Sequence, residues 1–239
     1  LFRSEYDGVF YWPGVDRFLM FNGVVREVPN NLNQNWFFDN LNFAQRQKVF
    51  AFKVPRFGEI WWCYPRGSAT ECTHAVIYNV REGTWYDTQL PDGGRCAGVY
   101  AKVYNKPFMV DTDLSDTPGY TLWQHETTVD KVNGSDVQPI RSYFETAEIT
   151  MLEEGIDQSL HVARLEPDFV QLQNMTLTVR GRINSRAPQV ESDIFTFPAD
   201  ISGGDDETIL LKEVRRLMSF RFESNIQGGD YEYGETYAF

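Results

Sequence analysis

The sequence predicts an all-β protein: partial β-propeller blades followed by a β-sandwich-like domain. Three observations predict it. Short aromatic runs stop at Pro-Gly or Asn-Gly turns. These runs recur about every 50 residues, the length of a blade in some propellers. Toward the C-terminus apolar and polar residues alternate with period two, and no long helical periodicity interrupts them. Aromatic residues make up 15% of the 239 residues, far too many for a chain that cannot bury itself. No apolar run approaches the roughly 20 residues of a spanning helix, so no membrane partner is expected.

The elements follow in order. A strand over 9–12 ends at Pro13-Gly14, and a second over 17–21 ends at Asn22-Gly23, whose left-handed dihedrals suit a tight hairpin. Asp39 is placed to cap a short helix over 40–47, with Leu41, Phe43 and Ala44 on one side. A strand over 59–64, closed by Pro65-Arg66-Gly67, pairs with 74–79, and 84–86 follows the turn at Arg81-Glu82-Gly83. The third unit opens at 108–110 with 120–123 as its neighbour. The three starts, near Phe10, Ile60 and Phe108, define two and a half units. Propellers need at least four blades, so the missing blades are expected before Leu1 and the chain is expected to be the C-terminal part of a longer polypeptide.

Charge divides the chain. Residues 1–110 carry 12 Lys/Arg and 10 Asp/Glu, whereas 111–239 carry 10 and 24. Aromatics divide the other way, 23 before residue 111 and 13 after it. Two domains are therefore expected, blades over 1–130 and a sandwich-like platform over 131–239. They join in the polar stretch 127–136, which holds the Asn133-Gly134 turn. In the second domain the strand candidates are 141–150, 161–166, 176–183, 193–197 and 217–223. In the last of these, Met218, Phe220 and Phe222 alternate with Ser219, Arg221 and Glu223, a half-buried strand.

Chemistry is thinly represented. Of the three histidines, His74 and His125 read as packing or surface residues, and His161 has no Gly-x-Ser-x-Gly elbow to serve. No HExxH or zinc-type Cys/His spacing occurs. Asp111-x-Asp113-x-Ser115-Asp116 begins like a calcium loop. It then has Asp116 where the turn needs Gly and Leu122 where a bidentate Glu belongs. Carboxylates are abundant, but no pair is singled out for glycoside hydrolysis. Cys63, Cys72 and Cys96 form no even framework and read as free thiols, with one bridge plus one thiol as the alternative. The expectation is a protein that is not an enzyme, with no catalytic residue, cofactor or metal. Adjacent tryptophans Trp61-Trp62, like Tyr11-Trp12, point to opposite faces of a strand. One of each pair is core, and the other either packs on a neighbouring blade or offers a ring to a sugar.

The segments 8–14, 21–29, 59–65 and 78–85, together with the ending 220–234, resemble the C-terminal part of tailed-bacteriophage virion proteins of the tail nozzle or packaged-DNA stabilisation type. The resemblance implies a propeller on a sandwich-like platform, in a homo-oligomeric ring, commonly hexameric, at the end of the portal–adaptor channel. Such a ring retains packaged DNA, conducts it at ejection without reading its sequence, and anchors tail fibres or a needle. The expected location is the phage tail of the virion, after synthesis in the host bacterial cytoplasm. The excess of 34 acids over 22 bases fits a conduit, because basic walls would trap DNA by counterion release. Glu153, Glu154, Asp205, Asp206 and Glu207 are the acids expected to line or flank the lumen. The alternative is a receptor-binding, glycan-binding tail module.

Overall fold

The computed structural model describes residues 3–29, 32–90, 93–112, 120–153, 156–165, 174–184, 186–197 and 208–227. The protein is all-β, with several antiparallel sheets and two short helices. It divides into two compact units, Leu1–Thr127 and Thr128–Phe239.

Three meander sheets follow one another in the first unit. The first holds β1 (Ser4–Tyr6), β2 (Val9–Pro13), β3 (Phe18–Phe21) and β4 (Val25–Glu27). The helix α1 (Leu32–Asn40) and a 3-10 helix (Phe43–Lys48) lead to the second. That sheet holds β5 (Phe50–Val54), β6 (Glu59–Tyr64), β7 (His74–Asn79) and β8 (Thr84–Gln89). The third holds β9 (Arg95–Ala101), β10 (Lys106–Asp111) and β11 (Leu122–Gln124). Strands pair in chain order within each sheet. Gly8 (φ 82°), Gly58 (φ 78°) and Asn105 (φ 54°) each stand directly before the second strand of their sheet. Left-handed backbone at this point is what Gly and Asn tolerate and other residues resist. The 50-residue spacing read from the sequence thus marks the second strands, and each sheet begins one strand earlier.

The sheets stack. Tyr6, Tyr11 and Phe18 of the first share a core with Ile60, Trp62, Tyr64 and Tyr78 of the second, joined by Phe37 of α1. The opposite face of the second sheet, with Phe52, Val54, Trp61, Cys63 and Ile77, shares a separate core with Met109 and Tyr100 of the third. First strands touch in succession, β1 to β5 and β5 to β9, and Lys53 Nζ donates to Glu5 Oε2 at 2.7 Å across the first junction. A Cβ on Gly98 of β9 would stand 3.0 Å from the rings of Phe50 and Phe52, so the second junction is close enough to favour glycine there. β6, covered on both sides, is buried at every position.

The helical stretch differs from its expectation. Asp39 lies inside α1 instead of capping a helix over 40–47. Asn42 is the cap, its side chain accepting from Ala44 N at 3.1 Å, and it starts the separate 3-10 turn. Gln34, fully buried, ties α1 to the first sheet. Its Oε1 accepts from Phe18 N at 3.3 Å and its Nε2 donates to Pro29 O at 2.6 Å. Leu41 is half-buried, but Phe43 and Ala44 are exposed, so the expected apolar side does not form.

The second unit begins with the hairpin β12 (Asp130–Asn133) and β13 (Asp136–Pro139), turned at Gly134 (φ 61°). The stretch expected as a linker is therefore partly strand. Next come β14 (Ser142–Glu145), β15 (Met151–Glu153), β16 (Ile156–Gln158) and β17 (Leu160–Leu165). They are followed by β18 (Met175–Arg182), β19 (Val190–Glu191), β20 (Phe195–Phe197), β21 (Ile209–Arg215) and β22 (Leu217–Ser224). A five-stranded sheet runs β14-β22-β18-β19 with β20 also on β18, and β17 pairs with β21. Leu177, Val179, Met218 and Phe220 of the sheet pack with Ile209 and Leu211 of β21 and with Leu160 and Val162 of β17. The result is a sandwich-like pair of layers.

Candidate functional site

Alternation on β18 and β22 sends Leu177, Val179 and Phe220 to the core and Arg180, Arg182, Arg221 and Glu223 to the other face. Four guanidiniums gather on that face or at its edge, and each is held by a carboxylate. Arg141 grips Glu223 with two hydrogen bonds, 2.6 and 2.9 Å. Arg180 reaches Glu145 at 2.8 Å and Glu191 at 2.7 Å. Arg182 grips Glu148 at 2.8 and 2.7 Å. Arg221 lies 3.3 Å from Glu223 and 3.9 Å above the Tyr143 ring. Ser219 Oγ donates to the second oxygen of Glu145 at 3.0 Å. The Arg141 hydrogen bonds hold the Glu223 carboxyl below its usual range, against the opposing effect of burial. Forked Arg–carboxylate pairs of this kind fix direction as well as charge. A face rich in arginine is thereby left with guanidiniums already engaged by partners other than phosphate.

Polar groups in the first unit are committed to structure. Glu59 is buried; it accepts from Trp61 Nε1 at 2.9 Å and from the Tyr86 hydroxyl. Tyr86 exposes part of its ring, yet burial of its hydroxyl and the adjoining Glu59 charge push the phenol's pKa up. Asp111, which opens the calcium-like motif, accepts from Trp123 Nε1 at 2.9 Å and Thr121 N at 3.0 Å. Arg95, fully buried, lies 5.1 Å over the Trp123 ring. His74 is half-buried, with Nε2 3.1 Å from Arg66 Nη1 and Nδ1 3.0 Å from Thr73 Oγ1. A guanidinium only donates, so Nε2 carries the lone pair and Nδ1 the proton. Burial and the Arg66 charge push the His74 pKa down to about 4, and burial and Arg95 do the same to His125. Both imidazoles are therefore uncharged at physiological pH, and in His74 the lone pair of Nε2 is already occupied by Arg66.

The sequence-predicted residues fare unevenly. Glu153 ends β15, where only the backbone is described, and Glu154, Asp205, Asp206 and Glu207 lie outside the described residues. Trp61 and Trp62 do point to opposite faces, but both are buried because β6 sits between two sheets. Neither is available to a sugar; Tyr11 is also core, and Trp12 is half-buried. All three cysteines are free, Cys63 and Cys72 buried and Cys96 exposed. Among the described residues no three His, Cys, Asp or Glu side chains gather to hold a metal ion. Sequence reading missed the Arg–Glu face, although the polar side of 217–223 pointed to it. No known protein family matches the chain, and no curated protein matches it.

Proposed function

We propose that the chain is a structural component of a tailed-bacteriophage virion, part of the tail nozzle or neck channel that retains packaged DNA and conducts it during ejection. The observation that carries this reading is the serial stack of meander sheets, joined through their first strands and turned at the same left-handed position. Consecutive blades of a propeller repeat in this way, and the resemblance of the chain's turn-bounded aromatic segments to tail-nozzle proteins supplies the setting. The Arg–Glu face adds support. Each phosphate neutralised by a free Lys or Arg strengthens DNA binding through counterion release. Arginines clamped by glutamates are poor grips, which suits a wall past which DNA must slide. In this role the protein has no catalysis of its own. It acts as one copy in a ring, probed by its neighbours in the tail and by passing DNA.

Electron microscopy of the virion with an antibody against this chain tests the reading. Label on the tail, at a ring whose axial opening admits duplex DNA, is expected. Label confined to fibre tips, together with selective binding on a glycan array, would replace it with the receptor-binding alternative. The burial of Trp61 and Trp62 removes the rings that best suited that alternative.

A further inference from the structure

The guanidiniums of the Arg–Glu face are neutralised by carboxylates, whereas Arg66, just after β6, is held by groups that carry no charge. Its backbone forms an antiparallel bridge to Leu41, between the two helices. Beside that bridge Asn42 N donates to Pro65 O at 2.9 Å and Gly67 N donates to Asn40 O at 2.8 Å. Its guanidinium lies 4.7 Å over the Trp36 ring of α1, and Nη1 donates to His74 Nε2 at 3.1 Å. His74 is uncharged at physiological pH, and among the described residues no carboxylate pairs with Arg66. Arg66 is half-buried and Trp36 is 44% exposed. Close by, the buried Tyr64 hydroxyl has no hydrogen-bond partner, and Arg66 is one of the charges that act on it. All these residues belong to α1 and the second sheet, which has a neighbour on each face, so the site depends on neither end of the stack.

We propose that Trp36 and Arg66 form a binding site for an acidic sugar, a pyranose that carries a carboxylate. Fixing an arginine costs rotamer entropy; here the stack, the imidazole and the bridged backbone fix it before any ligand arrives. A guanidinium has five donors in one plane, and this one gives one to His74. The others match the paired oxygens of a carboxylate. The indole beside it is a flat apolar surface, which suits the C–H face of a sugar ring better than an extended acidic side chain. One fixed cation in a chain of net charge −12 suits a ligand of single charge over a polyphosphate. His74 is a positioning residue: its lone pair holds Nη1 and so the orientation of the whole fork. The inference is independent of where in a virion the chain sits.

Titration of the isotope-labelled full chain with methyl glucuronide, followed by NMR, tests it. The Trp36 indole N–H, assigned by its loss in Trp36→Phe, and the Arg66 Nε–H, assigned by its loss in Arg66→Lys, are expected to shift together at millimolar ligand. Methyl glucoside, with a hydroxymethyl group in place of the carboxylate, is expected to shift neither. Acetate, which supplies the charge without the ring, is expected to bind more weakly than the glucuronide. Arg66→Gln is expected to weaken glucuronide binding about tenfold or more, the worth of a charge-assisted pair. Arg66→Lys keeps the charge without the fork and should fall between Arg66→Gln and wild type. His74→Leu is expected to weaken binding with unchanged circular dichroism, and His74→Gln, whose amide oxygen can accept from Nη1, to restore most of it. Absence of both shifts, equal binding of glucoside or acetate, or wild-type affinity in both Arg66 variants would overturn the proposal. The antibody label reads the virion location separately, so either result leaves that question where it stands.

Discussion

Trp12 and Trp62 each stand four residues after the left-handed glycine of their sheets, Gly8 and Gly58, one half-buried and one fully enclosed. Replacing each by alanine isolates what the neighbouring sheet contributes. Trp62 is fully buried, with the rings of Phe18 and Trp85 at 4.8 and 5.9 Å. Its removal leaves a cavity between two layers that cannot close, a change that costs about 3–5 kcal/mol. Trp12 is half-buried, and a cost of about 1–2 kcal/mol follows from the smaller area returned to solvent. All six tryptophans lie within Leu1–Thr127, so their fluorescence during urea unfolding reports the first unit alone. With a slope of about 1–3 kcal/mol per molar urea, Trp62→Ala is expected to lower the midpoint by about 1 M more than Trp12→Ala does. Equal losses from the two substitutions would refute the argument that Trp62 is enclosed by the preceding sheet while Trp12 is only half-buried.

Further predictions concern other parts of the molecule. His74 and His125 both have pKa values pushed from 6.5 down to about 4, so between those pH values the unfolded chain binds protons that the folded chain does not. Stability is complete above about pH 6.5 and falls as pH drops toward 4, by about 1–3 kcal/mol for each residue; unfolding of His74→Gln against pH should show a shallower slope than wild type. Gly58→Ala places a Cβ at φ 78° and 2.7 Å from Arg81 carbons, and a loss of about 1–2 kcal/mol is expected by thermal melting. Burial raises the Cys72 thiol to about 12 and the Cys63 thiol well above its usual value; a thiol-reactive disulfide should modify the native protein once, at exposed Cys96, and three times after denaturation. Glu145→Gln removes the charge that Arg180 and Ser219 share. A destabilisation of about 1–3 kcal/mol is expected, smaller if Glu191 takes over Arg180, and the double variant with Arg180→Met should recover part of it.

Much of this was legible in the sequence where turns and alternation coincide. The strands over 59–64 and 74–79 have the bounds read for them, because Pro65-Arg66-Gly67 and Arg81-Glu82-Gly83 punctuate them and aromatic or β-branched residues fill them. The first strand of each sheet was hidden. β5 and β9 mix apolar residues with Lys53, Arg95 and Gly98, because these residues serve the junctions: Lys53 reaches Glu5 of the first sheet, and Gly98 lets β9 approach Phe50 and Phe52. β21 escaped notice because Leu210 points outward, 63% exposed, and breaks the alternation that Ile209 and Leu211 begin. The helix boundary shifted because the feature that fixes α1, buried Gln34 bonded to Phe18 and Pro29, is tertiary. The Arg–Glu face needed register: Arg221 and Glu223 are close in sequence, but Arg180 meets Glu145 only because β14, β22 and β18 lie side by side.

The double burial of β6 has a consequence for how the first unit comes apart. Ile60, Trp62 and Tyr64 enter one core and Trp61 and Cys63 the other, so neither core can loosen without unseating the same strand. The amide protons of β6 should therefore exchange with solvent only when all three sheets open together, at the full free energy of that unit. β4, exposed at all three positions, can fray without disturbing either core. A gradient of protection is expected, steepest from the rim of the first sheet to the middle of the second. The strand with no solvent side thus makes three modest sheets behave as one cooperative block.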